Sequence, residues 1–166
     1  MESAFLLLGT NLGDRLQNLE SARQKLHALG VISGASRVYE TEPWGISEQP
    51  SFYNQAVRLE TNLSPDSLLK ELKNIEAVCG RTEAFRWGPR VMDIDILLFG
   101  QLIQRSDSLS IPHPKLSERR FALAPLNEIA PDVSEPISGK MVRDLLKACT
   151  DNLEVFPIRQ TTPPGA

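Results

Sequence analysis

Two aspartates separated by one residue, Asp93 and Asp95, lie inside an apolar and β-branched run at 91–99. Side chains alternate between the faces of an extended strand, so these two carboxylates should point to the same side. Like charges held side by side repel each other unless a cation lies between them, and Mg²⁺ binds carboxylate, water and phosphate oxygens. The pattern indicates a platform for a metal-bound nucleotide, although a bare Asp-x-Asp strand is more often a solvated strand edge.

Arginines precede this strand. Arg81, Arg86 and Arg90 all lie within about a dozen residues of Asp93, and Gly88-Pro89 predicts a turn directly before the strand. A guanidinium is always charged, and its forked donors fit phosphate oxygens. Metal ions and arginines together can neutralise a triphosphate from two sides, which favours phosphoryl or pyrophosphoryl transfer.

The composition is that of one ordinary globular domain. The chain has 166 residues, 41% of them hydrophobic and 23% charged, and its formal charge of −3 argues against a dedicated nucleic-acid binder. No apolar run is long enough to cross a bilayer, and the N-terminus lacks the basic start of a secretory signal. Cys79 and Cys149 have no metal-ligand spacing, so we expect reduced thiols and a cytoplasmic location.

Apolar patterns predict the elements that must position these residues. Strands are expected at 5–8, 36–39, 56–63 and 91–99, the last of them central in the sheet. One helix should end at Gly30, a second should begin after the cap Ser64 and end at Gly80, and a last helix should cover 141–148.

The order strand, helix, strand, strand, helix, strand predicts an α+β fold, the ferredoxin-like α/β sandwich. Its antiparallel sheet would carry two main helices on one face, with extra helices in the C-terminal half. We expect a single domain over 1–158 and a disordered tail at 159–166.

The run at 86–97, Arg-Trp-Gly-Pro-Arg-Val-Met-Asp-Ile-Asp-Ile-Leu, resembles the signature of the 6-hydroxymethyl-7,8-dihydropterin pyrophosphokinase family. Further segments are similar to the family in the same order, at 9–14, 39–45, 49–54, 75–81, 111–114, 119–121 and 125–131. The resemblance covers roughly residues 4–146. Glu83 departs from it, because some members carry a basic residue at this position.

The resemblance implies transfer of pyrophosphate from ATP to 6-hydroxymethyl-7,8-dihydropterin, with release of AMP, as a step of folate biosynthesis. Asp93 and Asp95 would hold two Mg²⁺ ions, while Arg86 and Arg90 would stabilise the charge of the transferred group; these four are the expected catalytic residues. The nucleotide pocket would be formed by Glu76, Arg81, Ile96, Ser110, His113 and Arg119.

A pterin is flat and rich in donors and acceptors, so its site needs stacking faces and amide-type partners. The resemblance implies that Phe52 and Phe121 stack on the ring and that Asn54 reads its pyrimidine edge. Without the resemblance, both phenylalanines would be interpreted as core residues. The remaining pterin contacts would come from a loop that contains Thr41, Pro43, Trp44 and Gly45. The loop positions of Trp44 and Trp87 suggest lids over a bound ring or nucleotide, although a loop Trp can also simply anchor its own loop.

Two alternatives remain. The first is a ligand-binding module that has kept the fold without catalysis, which the presence of both aspartates disfavours. The second is a nucleotide-dependent transferase that acts on another flat heterocycle, which Asn54 and Phe121 make less favourable. For the preferred interpretation we expect a monomer whose partners are small molecules, without nucleic acid or membrane, and whose loops at 41–54 and 81–90 close over the substrates.

Overall fold

The computed structural model describes residues 1–41, 49–80 and 91–159. Several predicted site residues lie outside these ranges, namely Pro43, Trp44, Gly45, Arg81, Arg86, Trp87 and Arg90, as does the expected tail from residue 160 onward. The elements are, in chain order, β1 (Glu2–Thr10), α1 (Arg15–Leu26), β2 (Val31–Ala35), β3 (Tyr39–Thr41), β4 (Phe52–Thr61), α2 (Pro65–Val78), β5 (Asp93–Phe99), β6 (Gln104–Arg105), β7 (Ser110–Ile111), a 3₁₀ turn (Leu116–Glu118), α3 (Arg120–Ile129), α4 (Val142–Ala148) and β8 (Val155–Pro157).

One antiparallel sheet of six strands forms the centre of the fold. Its order is β5-β1-β4-β3-β8, and β2 pairs with the far end of β4 beyond β3. Together β2 and β3 form one interrupted strand beside β4, so the connectivity is strand, helix, strand, strand, helix, strand. The ferredoxin-like α+β prediction is therefore confirmed. A separate two-stranded hairpin consists of β6 and β7.

Helices cover both faces of the sheet. On one face, α1 and α2 pack against alternate residues of β1, among them Leu6 and Leu8. On the other, α3 and α4 pack against Phe5 and Leu7. A strand buried on both faces reads as a continuous apolar run, which is the pattern that β1 shows in the sequence. No helix within the described ranges has the length and apolar character required to cross a membrane.

The two main helices illustrate a confirmed and a wrong boundary. The Ser64 side chain accepts a hydrogen bond from the Ser67 N–H at 3.2 Å, and Gly80 follows α2 with a φ of +91°, as the capping pattern predicts. By contrast, α1 ends at Leu26 rather than Gly30. A Cβ at Gly30 would collide with the Glu60 carbonyl oxygen, so this glycine permits close approach of two chain segments.

Other strand predictions also need correction. The strand expected at 36–39 is wrong, because 36–38 is the interruption between β2 and β3, where the Ser36 hydroxyl accepts from the Ala56 N–H. Likewise, β5 is not central, since within the described residues β1 is its only partner in the large sheet. The last helix is confirmed, whereas β8 and the β6–β7 hairpin carry patterns too short to be recognised.

Candidate active site

The two aspartates begin β5. This strand pairs with β1 so that Asp93 lies opposite Gly9 and Asp95 lies opposite Leu7. Directly paired residues of an antiparallel sheet project to the same face, and Leu7 packs in the core beneath α3 and α4. Both carboxylates therefore belong to that face, as their spacing predicts. The Ile96 side chain belongs to the opposite core, so a nucleotide contact from this residue would use its main chain.

A row of paired residues continues from Asp93 across the sheet. Gly9 on β1 lies opposite Asn54 on β4, which in turn lies opposite Tyr39 on β3. Neighbouring strands are about 4.8 Å apart, so the main chains of Asp93 and Asn54 are separated by about 10 Å. The row crosses the sheet where β1 and β3 end and where β4 and β5 begin. It brings the predicted metal ligand and the predicted pterin reader to the same face.

Glu76 on α2 fixes the start of β5. Its side chain is buried, with 5% of the residue exposed, and Oε2 accepts a hydrogen bond from the Ile94 N–H at 2.8 Å. Ile94 separates the two aspartates, so this bond holds the main chain that carries both carboxylates. The predicted contact of Glu76 with a nucleotide stays a prediction.

His113 lies beside β5, where its main-chain N–H donates a hydrogen bond to the Leu97 carbonyl oxygen at 3.0 Å. Burial, reinforced by the positive charge of Arg119 and partly offset by Asp93, lowers the pKa of His113 to about 4. The imidazole is neutral at pH 7, and its Nδ1 accepts from the Lys115 N–H at 3.1 Å. The ring proton therefore lies on Nε2, which leaves His113 an uncharged hydrogen-bond donor. Ser110, the other predicted nucleotide contact of this segment, is a partly buried residue of β7.

Arg119 and Phe121 both lie at the beginning of α3. The guanidinium carbon of Arg119 lies 5.6 Å from the centroid of the Phe121 ring. Phe121 is half-buried and packs against the core beneath α3 and α4, on the face that carries the aspartates. A cationic donor and an aromatic surface thus come from neighbouring positions of one helix start.

The predicted pterin residues within the described ranges meet where β3 ends and β4 begins. Thr41 is paired with Phe52, two residues before Asn54 on the same face. Asn54 is 3% exposed, and its side chain makes no hydrogen bond within the described parts of the chain. The Thr41 hydroxyl is also buried without a hydrogen-bond partner among those residues. Buried polar groups are normally paired, so the Thr41 hydroxyl is a candidate for contact with a ligand.

Sequence patterns gave no signal for Arg15, the first residue of α1. Its Nη1 donates to the carbonyl oxygen and the hydroxyl of Ser51, both at 2.9 Å, and its guanidinium lies 3.8 Å from the centroid of the Tyr53 ring. The Ser51 hydroxyl donates to Glu40 at 2.6 Å. Arg15 therefore connects the start of α1 to β3 and to the beginning of β4.

A second missed cluster attaches α3 to the sheet. The Tyr39 hydroxyl donates to Glu128 Oε1 at 2.7 Å, and Arg37 Nε donates to the same oxygen at 2.9 Å. Burial and the hydrogen bond to Glu128 raise the pKa of Tyr39 to about 12, so its hydroxyl stays protonated. This cluster fixes the helix that carries Phe121 relative to the strand that ends at Thr41.

The donor set of Asp93 and Asp95 fits Mg²⁺. Among residues 1–41, 49–80 and 91–159, no group of three or more His, Cys, Asp or Glu side chains is arranged as a metal site. Two carboxylates without further protein ligands suit Mg²⁺, which keeps several waters and binds nucleotide phosphates at its other positions. Such a site would be completed by the nucleotide.

The fold is the ferredoxin-like α+β sandwich, and Asp93, Asp95 and Asn54 share one face of its sheet. The sequence profile of the family described as "7,8-dihydro-6-hydroxymethylpterin-pyrophosphokinase (HPPK)" matches residues 5–131. The chain belongs to this family.

Curated relatives are similar over most of the chain. The "2-amino-4-hydroxy-6-hydroxymethyldihydropteridine pyrophosphokinase" of Aquifex aeolicus is 41% identical over 144 residues, 87% of this chain and 90% of the relative. The protein of the same name from Bacillus subtilis is 43% identical over 134 residues, 80% of each chain. The "Folic acid synthesis protein FOL1" of Dictyostelium discoideum is 46% identical over 132 residues, but this chain spans only 20% of its length.

Solved structures agree in fold. A structure described as "HPPK-DHPS in complex with substrates" superposes with a TM-score of 0.72 at 19% identity, over 89% of this chain and 43% of that one. The wild-type HPPK-DHPS of Plasmodium falciparum gives a TM-score of 0.69 at 20% identity, with the same coverage of 89% and 43%. At this identity the likeness concerns the fold.

Proposed function

We propose that this chain transfers the β,γ-pyrophosphoryl group of ATP to the hydroxymethyl oxygen of 6-hydroxymethyl-7,8-dihydropterin, a step of folate biosynthesis. The observation that carries the proposal is the row from Asp93 through Gly9 to Asn54, which joins a carboxylate platform to a buried carboxamide across one strand. The names of the relatives agree with this chemistry.

In the proposed reaction, the hydroxymethyl oxygen forms a bond to the β-phosphorus of ATP. The bond between the β-phosphorus and the oxygen that bridges it to the α-phosphorus breaks, AMP leaves with that oxygen, and the hydroxyl proton passes to solvent water. Asp93 and Asp95 would bind two Mg²⁺ ions, which would supply positive charge to the phosphates. Arg86 and Arg90 stay predicted to stabilise the transferred group.

On the nucleotide side, the neutral His113 would donate its Nε2–H to a phosphate oxygen, and Arg119 would add a charged donor. Glu76 would act by holding the strand between the aspartates. Further nucleotide contacts from Arg81, Ser110 and the main chain of Ile96 belong to the same proposal.

On the pterin side, Phe52 and Phe121 would stack on the ring, and Asn54 would pair with its pyrimidine edge. Thr41 would contribute at the end of β3, together with the loop residues Pro43, Trp44 and Gly45. A cytoplasmic, monomeric enzyme without a nucleic-acid partner completes the proposal; its support is the net charge of −3 and the sequence patterns.

The test is to incubate the protein with ATP, Mg²⁺ and 6-hydroxymethyl-7,8-dihydropterin and to follow nucleotides by chromatography. AMP should form only when the pterin is present. Formation of ADP in place of AMP, or AMP formation independent of the pterin, would contradict the proposed reaction.

The metal role of Asp95 has its own test. Asp95→Asn should lower turnover by more than about 100-fold, because removal of a direct ligand should cost more than removal of an outer-shell partner. Asp107→Asn is the matched control, since Asp107 is exposed in the loop between β6 and β7. Full activity of Asp95→Asn would exclude this carboxylate as a metal ligand.

A further inference from the structure

Gly9 is the one residue of the row between Asp93 and Tyr39 that has no side chain. A Cβ built at Gly9 would lie 2.7 Å from Asn54 Oδ1, a separation that real Cβ atoms do not tolerate. Its φ is outside the left-handed region, so the backbone conformation does not require glycine at this position. The need for glycine therefore comes from the neighbouring side chain.

The space above Gly9 is occupied by the end of the Asn54 carboxamide. Oδ1 is the atom nearest to the Cβ position, whereas the carboxamide carbon is 3.9 Å away and Phe52 Cδ1 is at 3.8 Å, both ordinary contacts. Within the described residues no hydrogen bond of the side chain holds this carboxamide in place. Its orientation depends on packing, and the opening at Gly9 allows it to lie across β1.

We infer that Gly9 is a positioning residue for pterin recognition, because its missing side chain lets the Asn54 carboxamide lie across β1 in the orientation that reads the heterocycle. This inference rests on the proposed function. A methyl group at Gly9 displaces the carboxamide, which is the flexible end of a side chain, but it need not displace the strands or Phe52. Pterin binding is weakened while the fold is retained.

Gly9→Ala tests the inference, and Gly34→Ala is its matched control. Gly34 also lies in a strand, and its added Cβ would meet only the Arg58 Cβ, at 3.9 Å. Calorimetric titration with the pterin would use Mg²⁺ and the α,β-methylene analogue of ATP, in which the reacting bond cannot break. Gly9→Ala should weaken pterin binding by about tenfold, the effect of one misplaced hydrogen-bonding group, and leave binding of the nucleotide analogue unchanged. Gly34→Ala should change neither.

A double-mutant cycle with Asn54→Ala separates positioning from a general structural effect. Asn54→Ala should itself weaken pterin binding, and Gly9→Ala should then add less than about a twofold change, because the atom it would strike is gone. Thermal unfolding of each variant reports on the fold. If Gly9→Ala alone does not fold, the comparison of the double variant with Asn54→Ala decides, since equal affinity supports the inference and further loss overturns it.

The outcomes are distinguishable. Additive effects in the cycle, unchanged pterin affinity of Gly9→Ala, or equal loss of nucleotide and pterin binding would overturn the inference and leave the proposed function standing. Wild-type protein that binds no pterin would instead refute the proposed function, and with it the inference. Asn54→Ala with unchanged pterin affinity would remove Asn54 as the reader and overturn the positioning role of Gly9.

Discussion

The strongest quantitative expectation concerns the stability of the metal-free protein between pH 5 and pH 7. Burial lowers the pKa of His113 to about 4 from an ordinary value of 6.5. Between these values the unfolded chain binds the proton more readily than the folded chain, so the free energy of unfolding falls as the pH falls. The stabilisation is fully present above about pH 6.5 and is lost progressively down to about pH 4.

The size of the effect follows from the two pKa values. Each unit of difference corresponds to about 1.4 kcal/mol, so protonation of His113 lowers the free energy of unfolding by up to about 3 kcal/mol once the pH is below both values. Between pH 7 and pH 5, this one group should lower the free energy of unfolding by about 2 kcal/mol.

The assay is urea unfolding at several pH values in the presence of a chelator, for the wild type and His113→Gln. Glutamine cannot titrate, so the variant should lose about 2 kcal/mol less than the wild type between pH 7 and pH 5. Acid titration of Glu128 and Glu135, whose hydrogen bonds outweigh burial and lower their pKa values, is common to both proteins and cancels in the difference.

Proton NMR gives an independent measurement. The chain has two histidines, so a His27→Gln variant assigns the imidazole signals. The His113 signal should titrate near pH 4. Parallel stability curves for wild type and His113→Gln, or titration of His113 near pH 6.5, would refute the assignment of a buried, neutral donor.

Two further expectations follow from contacts around the site. Glu76→Ala leaves the buried Ile94 N–H without its acceptor and should lower the free energy of unfolding in urea by about 2 to 3 kcal/mol. Glu76→Gln retains an acceptor and should lower it by less. Equal losses for the two variants would contradict the role of this hydrogen bond. Arg15→Ala removes the contacts with Ser51 and should raise KM for the pterin more than KM for ATP, with Arg15→Lys intermediate because it keeps the charge but lacks the fork. An equal change in the KM values for the pterin and for ATP would contradict a specific role of Arg15 in supporting the pterin residues.

Local patterns predicted the parts of the fold that depend on near neighbours in the chain. The cap at Ser64 and the glycine after α2 are settled within one helical turn, and the shared face of Asp93 and Asp95 follows from strand periodicity alone. The helix boundary predicted at Gly30 was wrong. Glycine is required there by close contact with the main chain of Glu60, a residue thirty positions away, and not by a helix end. Such a contact has no local signature.

Strand neighbours were decided by the tertiary structure. The sequence shows that β5 is apolar, but not that it lies at the edge of the large sheet. It also does not show that β4 begins at Phe52, four residues before the alternating pattern, which brings Asn54 into the sheet. Pairing partners are chosen by packing of whole faces, and one residue of register moves every side chain to the other side.

The sequence by itself determined which chemical groups are available, namely paired carboxylates on a strand and arginines before it. It also carries the family resemblance that names the substrates. Only the tertiary structure decided that Gly9 lies between Asp93 and Asn54, that Glu76 holds Ile94, and that His113 is uncharged. The physical reason is that residue types and their spacing are local properties. Register, burial and pKa depend on groups that the fold brings together from distant parts of the chain.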